Sequence, residues 1–179
     1  MTIDIPSLSA LPFVSYLDDG GLIPEQPFAG KVGAYAIFDE AKALCYVGLS
    51  RDIYASLKQH LVRCPEQCYW VKVQTLDRPN RTVLEAMRQQ WLTENGAVPL
   101  GNGPEEERWT QAIAVEPLMT EAEKASIAAA DDLNRSKLIK DVARRVEQEI
   151  FACLEARGVT LKLRFDPKLK EQGLLNLKA

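Results

Sequence analysis

The sequence is poor in the residues that mark several classes of protein. It holds four cysteines and one histidine in 179 residues, too few cysteines for a disulfide scaffold. A structural zinc needs four ligands at characteristic spacings, and neither the cysteines nor His60 supply them. No apolar run reaches the roughly 18 residues of a membrane span. These scarcities exclude a disulfide-rich secreted protein, a zinc module and an integral membrane protein.

Positive charge is also scarce. Lys and Arg number 22 against 25 Asp and Glu, which gives a formal net charge of -3. Tight nucleic-acid binding depends on neutralising phosphates with Lys and Arg, so the overall charge argues against a tight binder. Residues 31–95 hold nine basic against seven acidic side chains, which is no basic stripe. The amino terminus lacks a basic segment followed by an apolar one, so a reducing compartment such as the cytoplasm is expected.

The chain divides into three parts by composition. Residues 1–30 are rich in Pro and Gly with scattered apolar anchors, which predicts an N-terminal arm with one short helix. Residues 31–104 show regular strand and helix patterns and are predicted to form a domain. Residues 105–179 are predicted to be a helical extension with one strand, packed on the same domain.

The predicted domain alternates strands and helices. Strands are expected over 32–38 and 43–49, joined by a polar turn as an antiparallel hairpin. A helix capped by Ser50 should begin near Arg51 and end at Pro65. A third strand over 68–76 and a helix of about fifteen residues ended by Gly96 follow. The fold class predicted is α+β, a small three-stranded antiparallel sheet flanked by helices.

The extension has its own pattern. Thr120 and Glu123 have capping-box spacing, and an amphipathic helix is predicted from about 133 to 157. Apolar and polar residues alternate over 159–165, which predicts an added strand. Two roles for the long helix stay open: a homodimer face, or a cover for the sheet.

Two short motifs lie on the predicted hairpin, Gly33-Ala34-Tyr35 and Tyr46-Val47-Gly48. His60, Glu85 and Asn102 follow in that order. Together they resemble the GIY-YIG nuclease domain over roughly 32–102. The resemblance implies a sheet flanked by helices and a divalent-metal-dependent cleavage of phosphodiester bonds in DNA.

Phosphodiester hydrolysis needs a metal on the phosphoryl oxygen, a group that activates water, and cationic donors for the developing charge. The resemblance implies that Tyr35 and Tyr46 activate the water and that Glu85 holds Mg²⁺ or Mn²⁺. It places His60 toward the phosphate. It also places Gly48, Ser56 and Asn102 among the substrate-binding positions, as a set carried over from the family.

Ser56 departs from the family, which has an arginine at this position. Arg51, Arg63 or Arg88 could supply the guanidinium from nearby. We expect Arg51 to serve as the catalytic arginine, although it precedes Ser56 by about one and a half helical turns and must reach in from another face.

The chain is also similar to a narrower branch of the family, the domains fused to plastid monothiol glutaredoxins and their relatives in photosynthetic bacteria. The similarity rests on 46–51, Pro65-Glu66, Cys68 and 99–102. It implies that Ser56 is a trait of the branch, and that the plastid stroma is the compartment if the source is a plant. It also implies a redox role for Cys68 with a glutaredoxin-type partner.

Each of these residues also has a purely structural interpretation when it is taken alone. Tyrosines in strands usually pack in the core, and a glutamate on an amphipathic helix usually faces solvent. The joint pattern predicts a weak metal-dependent endonuclease. The alternative is a catalytically degenerate domain that serves as a nucleic-acid-binding, redox or protein-interaction module.

Overall fold

The structure, a computed structural model, describes residues 4–178 and contains two compact units. The first unit ends at Thr110 and the second begins at Gln111. The predicted boundary near residue 104, and the packing of the extension on the same domain, stay predictions.

The first unit is built on one antiparallel sheet, and the α+β class is confirmed. Its strands are β1 (Val14–Ser15), β2 (Val32–Phe38), β3 (Leu44–Ser50) and β4 (Trp70–Leu76), in the order β1-β4-β2-β3. The hairpin of β2 and β3 forms as predicted. The sheet has four strands where three were predicted, because the arm adds β1 beside β4. A strand of two residues is too short to show alternation in a sequence.

The two faces of the sheet carry different helices. Alternation along β2 sends Tyr35 and Ile37 to one face, and Ala34 and Ala36 to the other. Helix α1 (Ile53–Arg63) packs on the first face through Tyr35 and His60. Helix α2 (Arg81–Asn95) packs on the second face, where its buried side chains join the apolar cluster Leu8, Ala34, Ala36, Phe38, Val47, Val83, Met87 and Trp91.

The helix ends follow local hydrogen bonding. Asp52, rather than the predicted Ser50, caps α1 by accepting from the Ala55 amide at 3.2 Å. The Ser50 hydroxyl lies 2.7 Å from that of Ser56 instead. Gly96 ends α2 as predicted, in the left-handed conformation at φ 82° that favours glycine.

The arm is held against α2 by a short 3₁₀ helix, Leu8–Ala10. Glu94 accepts hydrogen bonds from the Leu8 and Ser9 amides, each at 2.8 Å. The indole of Trp91 donates to the Pro6 carbonyl at 3.0 Å. These contacts place Leu8 in the apolar cluster.

Two short helical segments complete the first unit. A 3₁₀ helix spans Leu100–Asn102, and helix α3 spans Glu106–Thr110. Arg108 on α3 forms an ion pair with Glu66. Helix α3 brings Trp109 to the α1 side of the sheet, where its ring stacks on that of Tyr46.

The second unit is mainly helical. It contains β5 (Ile113–Ala114), a 3₁₀ helix (Glu116–Leu118), α4 (Glu121–Ala129), α5 (Asp132–Ala156), α6 (Pro167–Lys170) and β6 (Leu174–Leu175). Thr120 caps α4 as predicted, accepting from the Glu123 amide at 3.1 Å. The long amphipathic helix is confirmed as α5, which buries Val142 and Val146.

The strand predicted over 159–165 is wrong. Of these residues only Phe165 forms a bridge, with Leu177, and the added strands are β5 and β6, which pair with each other. Alternation in a sequence sets the faces of an extended segment but supplies no partner for its backbone groups. Among residues 4–178, every helix is too short or too polar to traverse a bilayer.

Candidate active site

A pocket of about 190 Å³ opens on the α1 side of the sheet in the first unit. Four of the predicted site residues line it: Tyr35 from β2, Tyr46 from β3, and Ser56 and His60 from α1. The other lining residues are Gln59, Arg63, Trp109 and Thr110. The fold therefore brings together the two motif tyrosines and the only histidine of the chain.

The centre of the pocket is a hydrogen bond between Tyr35 and His60. The Tyr35 hydroxyl lies 2.7 Å from Nε2 of His60, and both side chains are buried. The pair forms because Tyr35 points toward α1 from the middle of β2, and His60 follows the buried Ile53 and Leu57 on the same side of that helix. Hydroxyl and imidazole thus satisfy each other away from water.

The imidazole is uncharged in this environment. Burial lowers the pKa of His60 to about 3, with help from the neighbouring Arg63 charge and against the effect of the Trp109 backbone. Neutral imidazole carries one ring proton, so Nε2 either accepts from the Tyr35 hydroxyl or donates to it. At neutral pH the pair is a hydrogen-bonded couple without net charge.

Both tyrosines keep their protons near neutral pH. Burial raises the pKa of Tyr35 and of Tyr46, because the phenolate loses its hydration. The guanidinium of Arg63 acts against this for both rings, and Arg88 does so more strongly for Tyr46. The phenols therefore serve as hydrogen-bonding groups, and the arginines are the local source of positive potential.

Gly48 lies opposite Tyr35 in the β2–β3 register, and no larger residue fits there. A Cβ at this position would overlap the hydroxyl end of Tyr35 and lie 2.7 Å from Cε1 of Tyr46. The glycine of the second motif therefore leaves space for both tyrosine rings, and packing explains why a glycine stands there.

Ser56 lies in the pocket without a charge. Its hydroxyl pairs with that of Ser50 at 2.7 Å and also acts on the Tyr35 hydroxyl, whose pKa it lowers by hydrogen bonding. Where the resemblance expects a guanidinium, the chain has a short hydroxyl that contacts the motif tyrosine. The positive charge must come from another residue.

Arg63 is the arginine that lines the pocket. It follows Ser56 by seven residues, two helical turns, so both lie on the same face of α1. Its Nη1 donates to the Trp109 carbonyl at 2.8 Å. Arg51 is exposed before the helix and is absent from the lining. The i, i+7 spacing from Ser56 was the sequence signal for this arginine.

Trp109 is one of three lining residues that sequence reasoning missed, with Gln59 and Thr110. Its ring stacks on Tyr46, with centroids 5.1 Å apart and planes 6° apart, and lies 5.5 Å from the His60 ring. A Cβ at Gly101 would come within 2.9 Å of the indole, so that glycine makes room for it. An isolated tryptophan in the charged segment 105–110 gives no pattern that predicts this contact.

Glu85 lies outside the pocket lining. It is on α2, with its side chain 44% exposed, and its carboxylate is 3.6 Å from Arg88 and 3.9 Å from Arg81. Arg88 connects it to Tyr46, since the same guanidinium lowers the Tyr46 pKa. Within residues 4–178, no three His, Cys, Asp or Glu side chains cluster as a metal site.

The donor chemistry of Glu85 suits one kind of ion. Mg²⁺ prefers oxygen ligands and is commonly held by one or two carboxylates while it keeps several waters. The arginine contacts to Glu85 are exposed and long, so they oppose such an ion only weakly. A single hydrated Mg²⁺ or Mn²⁺ on Glu85 stays a prediction.

Asn102 completes the sheet edge. Its Oδ1 accepts from the Val47 amide and its Nδ2 donates to the Val47 carbonyl, both at 2.8 Å. Because β3 is an edge strand, the amide group takes the place of a neighbouring strand at this residue. The structure places Asn102 behind the second motif and outside the pocket lining.

Cys68 is fully buried, and its thiol donates to the His60 carbonyl at 3.6 Å. Cys64 and Cys45 are buried as well, and burial raises the pKa of their thiols to about 12 and about 11. High pKa values disfavour the reactive thiolate. A mixed disulfide through Cys68 would need the helix-to-strand turn to open.

No protein-family model matches the chain. A curated protein that it resembles is the bifunctional monothiol glutaredoxin-S16, chloroplastic, of Arabidopsis thaliana. The two are 40% identical over 74 residues, which is 39% of this chain. The match spans 25% of the length of that relative. Over part of its length, the chain is thus similar to a chloroplast protein described as a bifunctional monothiol glutaredoxin.

Proposed function

We propose that the first unit is a GIY-YIG-type nuclease domain that cuts phosphodiester bonds in DNA, weakly and with Mg²⁺ or Mn²⁺. The observation that carries this proposal is the Tyr35–His60 hydrogen bond, set beside Tyr46 and Arg63 in one pocket. These residue types occur in the order and on the elements that the family resemblance implies. A partial similarity to a plastid glutaredoxin protein fits the narrower branch.

The composition of the pocket supports a chemical role. Buried hydroxyls and imidazoles need hydrogen-bond partners, whereas apolar side chains of similar volume need none. Tyr35, Tyr46 and His60 are nevertheless buried to 2%, 7% and 4% exposure. Replacing such partners together by apolar side chains of the same shape is nearly neutral, so packing alone does not call for this set.

The side chains have distinct tasks in this proposal. Tyr46, at the rim near Arg88, and Tyr35, deeper in the pocket, orient the attacking water through their hydroxyls. His60 fixes the direction of the Tyr35 hydroxyl through the hydrogen bond at Nε2, and its low pKa keeps the imidazole neutral while it does so. Gly48 holds both rings in place.

Arg63 supplies the guanidinium that Ser56 does not. It lies on the same face of α1, two turns farther along, and its charge acts on both phenols. A guanidinium aimed at the phosphoryl oxygens stabilises the charge that develops in the transition state, and losing one such donor typically costs about 3–4 kcal/mol of that stabilisation. Arg63 thereby replaces Arg51 as our proposed catalytic arginine.

Glu85 would hold the divalent ion. Such an ion polarises the phosphoryl oxygen and lowers the pKa of a bound water. Arg81 and Arg88 keep the carboxylate near the Tyr46 end of α2 until the ion binds. The remaining work, water orientation and charge stabilisation, falls to the pocket residues.

A plasmid assay tests the proposal. Purified protein is incubated with supercoiled plasmid and Mg²⁺ or Mn²⁺, beside Glu85→Ala, Tyr46→Phe and Arg63→Gln. Nicking is expected for the unaltered chain, and each substitution should reduce it at least about tenfold. Arg51→Gln is the matched control, since Arg51 is exposed and away from the lining. Two results contradict the proposal: the unaltered chain does not nick the plasmid, or nicking survives all three substitutions.

The second candidate is a catalytically degenerate domain that binds nucleic acid or a protein. The covering of Tyr46 by Trp109 and the lost helix arginine favour it. Such a module binds DNA equally with and without Mg²⁺, and Glu85→Ala leaves binding intact. A redox role with a glutaredoxin-type partner in the plastid stroma belongs to this candidate, and Cys68→Ser should then abolish a mixed disulfide.

A further inference from the structure

The indole of Trp109 covers the groups that the proposed chemistry uses. Its ring lies flat on Tyr46 and beside His60, and its backbone carbonyl accepts the Nη1 hydrogen bond of Arg63. Trp109 itself is 0% exposed. In this arrangement the indole covers one face of the Tyr46 ring and the Trp109 carbonyl occupies Nη1 of Arg63, so a phosphodiester reaches these groups only through the remaining pocket of about 190 Å³.

Helix α3, which carries Trp109, is held by the buried indole and by a few other contacts. It has five residues, and so short a helix is unstable without tertiary contacts. One of its ties is the ion pair of Arg108 with Glu66, whose side chains are 44% and 50% exposed. Exposed ion pairs contribute little.

The covered state also leaves polar atoms unsatisfied. In the described part of the chain, the buried Nε1 of Trp109 has no hydrogen-bond partner, and neither does Oε1 of Gln59 in the same pocket. A buried N–H without a partner costs free energy that water would recover on exposure. Opening therefore lets the Trp109 N–H form a hydrogen bond to water, which lowers the cost of leaving the covered state.

We propose that Trp109 is a gate: α3 swings away from Tyr46 to admit a phosphodiester, and the same movement breaks the hydrogen bond between Arg63 and the Trp109 carbonyl. The opening sets which substrates reach the pocket. A flexible single strand or a nicked end enters a narrow opening more readily than an intact duplex. This inference rests on the proposed function for its substrate, while the movement of α3 is measurable without it.

Hydrogen exchange measures the movement directly. The Glu106 and Arg108 amides donate to Gly103 and Glu105 within this segment, and a five-residue helix does not keep such bonds once it leaves its tertiary contacts, so opening exposes them. We expect 106–110 to exchange faster than α1 and α2 in the unaltered chain. Arg108→Gln should speed that exchange about two- to fivefold, which is the ratio that losing one exposed ion pair allows. Lys124→Gln, which breaks a comparable exposed pair with Glu121, should leave 106–110 unchanged.

The single histidine gives a second readout. Since His60 is the only histidine, its ring signals in an NMR titration are unambiguous. In Trp109→Ala the imidazole becomes hydrated, and its titration should move up from about 3 toward the ordinary 6.5. Trp109→Phe keeps the stacking and should leave the titration low. If Trp109→Ala does not fold, Arg108→Gln takes its place in the titration, because this variant retains the indole.

Nicking assays connect the gate to the activity. Arg108→Gln should raise plasmid nicking by about the same factor as the exchange, and the unaltered chain should cut single-stranded DNA faster than supercoiled duplex DNA. If 106–110 exchange as slowly as α1 and Arg108→Gln changes nothing, the gate is wrong and Trp109 is fixed core. If exchange and titration shift as expected but no variant nicks DNA, the gate stands and the nuclease proposal fails.

Discussion

The two faces of the central sheet use burial for different ends. The α2 face is filled mainly by apolar side chains such as Met87 and Trp91 against Ala36, with Lys72 buried beside them and donating to the Leu8 carbonyl at 2.9 Å. The α1 face buries two tyrosine hydroxyls and an imidazole beside equally buried leucines, and a half-buried arginine lines its pocket. Volume therefore decides most of the packing on the first face, and hydrogen bonding decides more of it on the second.

The two faces respond differently to substitution. Apolar contacts on the α2 face can be exchanged for others of similar volume with modest loss. On the α1 face Tyr35 and His60 depend on each other, and removing one orphans the other. Single substitutions therefore disturb the α2 face through lost volume and the α1 face through lost hydrogen bonds.

The largest expected effect comes from truncating the α2 face. Met87 is 1% exposed in the apolar cluster, so Met87→Ala should lower the free energy of unfolding by about 2–5 kcal/mol. On the α1 face, Tyr35→Phe keeps the ring and should cost about 1–3 kcal/mol, through the orphaned His60 nitrogen. Urea unfolding measures both.

The pair of variants also separates stability from activity. Met87→Ala should retain nicking per folded molecule, whereas Tyr35→Phe should lose it although the fold is better preserved. Equal losses of nicking per folded molecule in the two variants would erase the proposed division between the faces.

Repeating local patterns made most of the first unit predictable from the sequence. The buried stripe Ile53, Leu57 and Leu61 located α1, and β2 has the predicted bounds. These signals are local, because apolar residues that recur every four positions in a helix or every two positions in a strand are visible in the sequence itself. The fourth strand escaped prediction because β1 exists only through its pairing with β4.

The candidate site was predictable in part. Ordered motifs identified the positions of Tyr35, Tyr46 and His60, which the fold brings together. Trp109 lies about fifty residues after His60, and no spacing rule connects the two. Whether an arginine enters the pocket depends on the helix face, and α1 begins later than predicted, at Ile53 with Asp52 as its cap. Contacts between distant segments need the fold.

A pH experiment sharpens the comparison, with an effect of the order of 2 kcal/mol. The folded pKa of His60, about 3, is below the ordinary 6.5, so the unfolded chain binds the proton more readily. The contribution of His60 to the free energy of unfolding is therefore complete above pH 6.5. It falls by about 1.4 kcal/mol per pH unit as the pH decreases toward 3. Urea unfolding at pH 7 and pH 5 should show the difference.

His60→Gln is the matched variant for this experiment. Carboxylates contribute equally to both proteins, so subtracting the two pH dependences isolates the histidine. We expect the variant to be less stable at pH 7 but to lose about 2 kcal/mol less on going to pH 5. Parallel pH profiles would mean that the imidazole is hydrated in solution and that the α1 face is open to water.

The smallest effect should come from loosening the arm on the α2 face. Glu94 is exposed, and hydrogen bonds from the Ser7 hydroxyl and the arm amides lower its pKa to about 2. This contribution is present above pH 4.5 and is lost as the pH falls through 2. Glu94→Gln should therefore lower the free energy of unfolding at pH 7 by about 1 kcal/mol or less, since solvent screens the exposed carboxylate.

Urea unfolding gives this value, and the His60 NMR signals report on the other face in the same samples. Those signals should not move, because no contact of the arm with Glu94 involves the pocket. A shift of the His60 titration in Glu94→Gln would mean that the sheet transmits strain between its faces, and that the chemistry of one depends on the packing of the other.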